Sequence, residues 1–245
     1  MGEDNLGGGV ATGLTAAPEP VSVDIRVWSL DDPPRSEADM IAILSPDENA
    51  RADRFKFPHL RRRWIAARGG MRILLGARVG LAPEALSFGT GQQGKPFLTG
   101  GVGPYTFNLS HSESLAALAV SSEELGVDIE SIGRFHEGVA RERFSAAENA
   151  ALEGLPAEQR NAAFYQFWTT KEAVLKALGT GFSRASNSFT IDISNRDALQ
   201  LVEADWPEGD PAAWQVCAFD PHPGFAGAVA VRTGRPVRLS MEHWT

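Results

Sequence analysis

An amphipathic helix that begins at a tryptophan occurs twice in this chain, at Trp64 and at Trp168, and each time it leads to a Gly-rich turn and a strand. Each half then ends in a strand of small residues, Leu115-Ala116-Ala117-Leu118-Ala119-Val120 in the first and Ala226-Gly227-Ala228-Val229-Ala230-Val231 in the second. A repeated helix-and-strand unit of this size points to an α+β protein of two similar halves, with the seam between them as a natural ligand site. The alternative at this level is coincidence between two ordinary amphipathic helices.

The rest of the chain fits that scheme. Residues 1–20 are rich in Gly, Ala and Pro and read as a disordered tail. Alternation over residues 21–28 predicts the first strand. Ser45-Pro46-Asp47-Glu48 predicts a helix start, with Ser45 as N-cap, Pro46 in the first turn and Glu48 completing a capping box. A longer helix is expected over 60–76, with Trp64, Met71, Leu74 and Leu75 available to its buried face. Strands are expected at 86–88, 105–109, 115–120, 125–130, 189–193, 214–219 and 224–231, and helices at 135–144, 146–152 and 156–178. The two halves then divide as 21–125 and 126–245.

Charge and cysteine usage narrow the partners. The 245 residues carry 31 Asp and Glu against 23 Lys and Arg, a net charge of −8, which argues against general binding to nucleic acid or to an anionic membrane. The single cysteine, Cys217, makes neither an internal disulfide nor a thiolate zinc site, so a reducing cytoplasm is expected. No apolar run reaches the roughly 18 to 20 residues a bilayer span needs. The amino terminus is acidic and Gly-rich rather than basic and then apolar, unlike an export signal.

Two phosphate motifs fail on context. Gly89-Thr90-Gly91-Gln92-Gln93-Gly94-Lys95-Pro96 matches both GxGxxG and the GxxxxGK part of a P-loop, but those loops work by leading a strand into a helix whose N-terminus holds phosphate. Here Pro96 and the glycines and proline after it forbid that helix, and Pro96 replaces the hydroxyl that would reach magnesium, so a hairpin turn is expected. No GxSxG, HExxH or CxxC is present. The adjacency of Ser110 and His111 says nothing about a hydrolytic pair, whose members meet in space.

The chemistry concentrates in two other places. In Gly126-Val127-Asp128-Ile129-Glu130, strand alternation puts Asp128 and Glu130 on one side and Val127 and Ile129 toward the core. Two such carboxylates suit a divalent cation or, equally, a solvated strand end. In Phe167-Trp168-Thr169-Thr170-Lys171-Glu172-Ala173-Val174-Leu175-Lys176, Trp168, Glu172 and Lys176 form one helical stripe. That is either a helix ion pair worth about 0.3–0.5 kcal/mol or a metal ligand beside a phosphate-binding lysine. Three acids and a lysine together match magnesium plus a diphosphate.

Taken in order, Gly94-Lys95-Pro96, Asn108-Leu109-Ser110-His111-Ser112, Gly126-Val127-Asp128-Ile129-Glu130 and Trp168-Thr169-Thr170-Lys171-Glu172-Ala173 resemble the 4'-phosphopantetheinyl transferase superfamily, in its Sfp-like, pseudo-dimeric branch. The resemblance spans about residues 21–231. It implies two α+β halves related by a pseudo-two-fold, with the active site between them, in a monomer that needs no second chain. It implies transfer of the phosphopantetheine arm of coenzyme A to a serine of an apo acyl or peptidyl carrier-protein domain, with release of adenosine 3',5'-bisphosphate. Magnesium would be held by Asp128, Glu130 and Glu172. Lys176 matches the lysine on the diphosphate, available to protonate the leaving group, and Lys171 a second coenzyme lysine. Lys95, Ser110 and His111 match groups at the adenosine end, His111 on the 3'-phosphate. Glu148 matches a general base proposed for the carrier serine, although Ser145-Ala146-Ala147-Glu148 also reads as a capping box.

The chain departs from that pattern near its start. Where some members use lysines to grip the 3'-phosphate, it offers Glu48 and Arg51. Residues 51–78 hold Arg51, Arg54, Lys56, Arg61, Arg62, Arg63, Arg68, Arg72 and Arg78 against Asp53 alone, a local reversal of the global charge. Arg51 and one or two of Arg61, Arg62 and Arg63 are the candidates for coenzyme contact, since the guanidinium fork suits phosphate. The competing reading of this resemblance is a non-catalytic protein that binds coenzyme A or a carrier. Outside it stands an α+β interaction domain whose charges are decoration.

Overall fold

The computed structural model describes residues 18–91, 93–179, 184–206 and 210–245. The tail expected at residues 1–20 therefore lies, up to residue 17, outside the described residues. From there the chain is α+β. Its first strand, β1 (Val21–Ser29), buries Val21, Val23, Ile25 and Val27 on one face, as alternation requires. Three helices follow: α1 (Glu37–Ala42), α2 (Pro46–Ala52) and the 22-residue α3 (Pro58–Val79). The predicted capping box of α2 is present, with Ser45 and Glu48 satisfying each other's backbone N–H. The long helix starts at Pro58, which needs no N–H in the first turn, and stops where Gly80 takes a left-handed φ of 73°.

A short hairpin, β2 (Phe88–Thr90) and β3 (Pro96–Leu98), carries the loop that imitates a phosphate motif. Thr90 pairs with Pro96 and Gly94 turns at φ 87°, so this is the expected hairpin and not a nucleotide loop. The strand expected at 86–88 begins instead at Phe88, because Pro83–Ala85 form a 3-10 turn just before it. Next come β4 (Thr106–Ser112), β5 (Leu115–Ser121) and β6 (Leu125–Ser131), then α4 (Glu137–Arg143), α5 (Ala146–Gly154) and the 22-residue α6 (Ala157–Leu178). The chain ends with β7 (Phe189–Asp192), β8 (Gln200–Ala204), β9 (Trp214–Phe219), β10 (Phe225–Arg232) and β11 (Val237–His243).

Two main sheets result, ordered β11-β1-β5-β4 and β6-β10-β9. The small-residue strands explain how they pack. β5 is buried along its whole length: Ala116, Leu118 and Val120 join the core under α3, while Leu115, Ala117 and Ala119 join the core shared with the second sheet. β10 does the same with Ala228 and Ala230 toward α6, and Val229 and Val231 toward that shared core. Short side chains let layers on both faces approach closely. Sequence reading missed α1, β8 and β11. The last is a half-exposed edge strand that pairs in parallel with β1, so the end of the chain returns to the first sheet.

Candidate active site

The edges of the two sheets meet along β4 and β6, and side chains join them. Asn108, Ser110 and Ser112, spaced by two and so on one face of β4, accept the N–H groups of Val127, Ile129 and Ser131 at 2.9, 3.3 and 3.1 Å. Short polar side chains thus replace the carbonyls of a missing neighbour strand and satisfy an otherwise orphaned edge. Both hydroxyls then donate onward: Ser110 to Asp128 Oδ1 at 2.8 Å and Ser112 to Glu130 Oε2 at 2.6 Å. Neither Asn108 nor Ser112 was singled out from the sequence, although their period-two spacing with Ser110 is the signal that marks them. Asn108→Ala would leave the buried Val127 N–H without an acceptor. It is expected to lower stability by about 1–3 kcal/mol, read as a shift of the urea midpoint; an unchanged midpoint would discount this ladder.

Asp128 is only 4% exposed, and Val127 and Ile129 point into the core as alternation predicts. The second long helix, α6, lies across β6 and delivers Lys176, whose Nζ donates to Asp128 Oδ1 at 2.6 Å, Ser110 Oγ at 3.0 Å and the Val127 carbonyl at 3.2 Å. Glu172, one turn earlier on the same stripe, is half-buried and close enough to feel the charges of Asp128 and Glu130. Burial, then repulsion from Asp128, raises the Glu172 carboxyl above its ordinary range, against the pull of Lys176 and Arg143. Burial likewise raises Glu130, with Asp128 adding to the rise and Ser112, Lys176 and Trp168 opposing it.

These features bear on the expected magnesium. Among the described residues, no three His, Cys, Asp or Glu side chains are gathered closely enough to hold an ion as they stand. The donor set nonetheless fits one. Three carboxylates offer hard oxygens, Glu130 and Glu172 are held above their ordinary range by burial and by repulsion from Asp128, and the buried Asp128 Oδ2 has no hydrogen-bond partner among the described residues.

The other expected residues are more dispersed. His111 sits on the opposite face of β4 from the serines. It lines a cavity of about 230 Å³ with Leu30, Phe55, Leu60, Arg63 and Trp64. Arg51 is exposed and holds its guanidinium over the Trp64 ring, 5.9 Å from the centroid, so it stands near that cavity. Ser110 belongs to the Asp128 cluster, where its hydroxyl is already engaged. Lys95 is engaged within the protein: its Nζ donates to the Leu125 carbonyl at 2.9 Å, to Ala177 O at 3.4 Å and to Glu124 at 3.1 Å. A cation at the C-terminal end of α6 complements the helix dipole, so Lys95 ties the hairpin to α6.

The arginine run meets partners in the fold. Asp53 and acids from outside the run neutralise much of it: Arg61 binds Glu37 and Asp53, Arg63 binds Asp31 and Glu113, Arg68 and Arg72 bind Glu48, and Arg78 binds Asp24. Arg61 and Arg63 are therefore paired with acids of the protein itself, whereas Arg51, Arg54, Lys56 and Arg62 make no ion pair among the described residues.

Glu148 and Lys171, expected as a base and a coenzyme lysine, are engaged with each other. They form a pair at 2.7 Å in which each residue is 1% exposed, and Glu148 lies in the wall of a cavity of about 790 Å³. Burial brings the Lys171 ammonium down to about 8, against the raising effect of Glu148. Both residues also bond to the backbone of β7, Lys171 to the Phe189 carbonyl and Glu148 to the Ile191 N–H.

Comparison with known proteins bears on the same residues. The family model described as the 4'-phosphopantetheinyl transferase superfamily matches residues 124–230, and the model of the 4'-phosphopantetheinyl transferase N-terminal part matches residues 32–123. The 4'-phosphopantetheinyl transferase HetI of Nostoc sp. is 35% identical over 218 residues, covering 86% of this chain and 89% of that protein. The 4'-phosphopantetheinyl transferase psf-1 of Bacillus pumilus is 32% identical over the same shares of the two chains. The 4'-phosphopantetheinyl transferase Sfp of Bacillus subtilis is 26% identical over 76% of this chain and 85% of that protein. With adjoining family matches that run from residue 32 to residue 230, and relatives matched over nearly nine-tenths of their own length, the chain belongs to the 4'-phosphopantetheinyl transferase superfamily.

Proposed function

We propose that this protein transfers the 4'-phosphopantetheine arm of coenzyme A to a serine of an apo carrier-protein domain. The serine oxygen bonds to the β-phosphorus, the bridging bond to the α-phosphate breaks, and adenosine 3',5'-bisphosphate leaves. The observation that carries this reading is the juxtaposition of Asp128, Glu130, Glu172 and Lys176 at the seam between β6 and α6.

In this reading Asp128, Glu130 and Glu172 hold magnesium, which when bound neutralises charge on the phosphoryl oxygens. Among the described residues Lys176 is the one cation within hydrogen-bond reach of Asp128, and its side chain is 29% exposed, which suits it to turn toward a diphosphate and to protonate the departing phosphate. Ser110 and Ser112 hold the carboxylates in place through their hydroxyls. His111 and Arg51 beside the Trp64 cavity suit the adenosine 3'-phosphate. We also read the chain as two similar halves, near 21–125 and 126–245, working as a monomer in the cytoplasm.

Incubation with coenzyme A, magnesium and a panel of apo acyl and peptidyl carrier domains is expected to add one phosphopantetheine mass to a carrier serine. A panel left unmodified would remove the enzymatic reading. Coenzyme binding without turnover would replace it by a non-catalytic binding protein.

A further inference from the structure

We infer that the buried Glu148–Lys171 pair is a positioning lock for α6, the counterpart of a Glu48–Arg72 lock under α3, and that neither residue touches coenzyme or the attacking serine. The positioning role rests on the transferase reading above; the lock itself does not.

Consider first how completely the pair is used. Glu148 Oε1 accepts from Lys171 Nζ at 2.7 Å and from the Ile191 N–H at 2.8 Å, while Oε2 accepts from the Ser145 N–H at 2.8 Å. Lys171 Nζ donates a second time, to the Phe189 carbonyl at 2.6 Å, and lies over the Phe189 ring at 4.1 Å from its centroid. One carboxylate and one ammonium thereby fasten the start of α5, the middle of α6 and the first residues of β7 at a single point.

The first half contains the same device, part for part. Glu48 also completes a capping box, accepting from the Ser45 N–H at 2.8 Å, and it receives Arg72 Nε and Arg68 Nε at 2.6 Å each. Arg72, 3% exposed, donates onward to the Pro83 and Leu86 carbonyls at 2.8 and 3.0 Å, just ahead of the following hairpin. Its guanidinium lies over the ring of Phe88, the residue that opens that hairpin, as Lys171 lies over Phe189. Even the next residues agree: Asn49 donates to the Ile41 and Leu44 carbonyls and Asn149 to those of Ala140 and Phe144. In the first half the device stands away from the acid cluster, holding a helix, a capping box and a hairpin together. The second copy needs no additional chemistry to explain its residues.

What the second copy adds is position. Residues on a helix advance by about 100° each, so drawing Lys171 into the core sets the rotation of α6 that turns Glu172 and Lys176 toward β6. A slip in that rotation would part Lys176 from Asp128 while leaving the helix intact.

Glu148→Gln, Lys171→Met, Lys171→Arg and the Gln–Met double variant test this, each followed by melting temperature, by kcat and KM for coenzyme A, and by the pH profile of kcat. Glu148→Gln and Lys171→Met are expected to melt lower and to lose kcat by about tenfold, as removal of supporting contacts commonly does. KM for coenzyme A and the shape of the pH profile are expected to stay as in the wild type. Lys171→Arg, which imitates Arg72, is expected to keep both stability and rate. The double variant is expected to be no worse than the worse single one, because neither buried charge remains without its partner. Loss of the acidic limb of the profile in Glu148→Gln would make Glu148 a base, and a KM rise of about tenfold or more in Lys171→Met would make Lys171 a coenzyme ligand. Either result overturns the proposal, as do multiplicative losses in the double variant. If the wild type modifies no carrier, the transferase reading falls with the positioning role, while the melting temperatures of the four variants still decide whether the lock exists.

Discussion

Asp128→Asn is expected to lower kcat for carrier modification by about 10²–10³-fold while leaving the melting temperature within a few degrees of the wild type. The side chain is buried, and its two oxygens do different work. Oδ1 accepts from Ser110 and Lys176, a role an asparagine carbonyl can keep. Oδ2 has no hydrogen-bond partner among the described residues, and an amide NH₂ there presents donors where a cation needs a lone pair. The change also removes the charge facing Lys176, but that side chain is partly exposed, which softens the effect on stability. Asp128→Ala is expected to abolish turnover as well, with a larger penalty to folding because it empties a packed polar site. Steady-state kinetics beside a thermal melt decides the matter. A fully active Asn or Ala variant would take Asp128 out of the site.

How far the sequence alone reached depends on whether a feature is local. The carboxylate pair of β6 and the stripe of Trp168, Glu172 and Lys176 follow from periods of two and 3.6, and the structure keeps both facings. Both capping boxes were equally readable, since a serine and a glutamate three residues apart define each. Counting charge within residues 51–78 ignores partners such as Asp24, Asp31 and Glu113, which only folding brings to the arginine run. The carbonyl partners of Lys95 at 125 and 177 were hidden for the same reason, since they are fixed by where the hairpin docks. For Glu148 the capping box is local and legible, whereas its bonds to Lys171 and to the Ile191 N–H depend on the fold. The parallel pairing of β11 with β1 joins the two ends of the chain, and no local pattern encodes it.

Gly126 shows how one small residue governs the site, and Gly126→Ala is expected to be among the most damaging single-methyl changes in the protein. A Cβ at this position would stand 2.1 Å from the Ala173 carbonyl oxygen, 2.4 Å from the Ala177 nitrogen and 2.8 Å from Lys176 Cβ. The first two are helix backbone, so no rotamer change relieves the contact; α6 as a whole must retreat by about 1 Å. That helix carries Glu172 and Lys176, and β6 carries Asp128 and Glu130, so the retreat opens the distance on which the chemistry depends. Overpacking of this kind is expected to lower stability by about 1–3 kcal/mol or more, and a displacement of about 1 Å in a catalytic constellation to lower kcat by about 10²-fold. Gly138→Ala is the matched control: it lies in α4, nothing stands within 4 Å of its added methyl, and it is expected to be neutral or slightly stabilising. If Gly126→Ala melts and turns over like Gly138→Ala, then α6 does not rest on β6 at this point, and Lys176 must reach Asp128 by some other packing. If it loses both together, the glycine of the Gly-Val-Asp-Ile-Glu motif is explained by helix contact alone, with no call on a special backbone conformation.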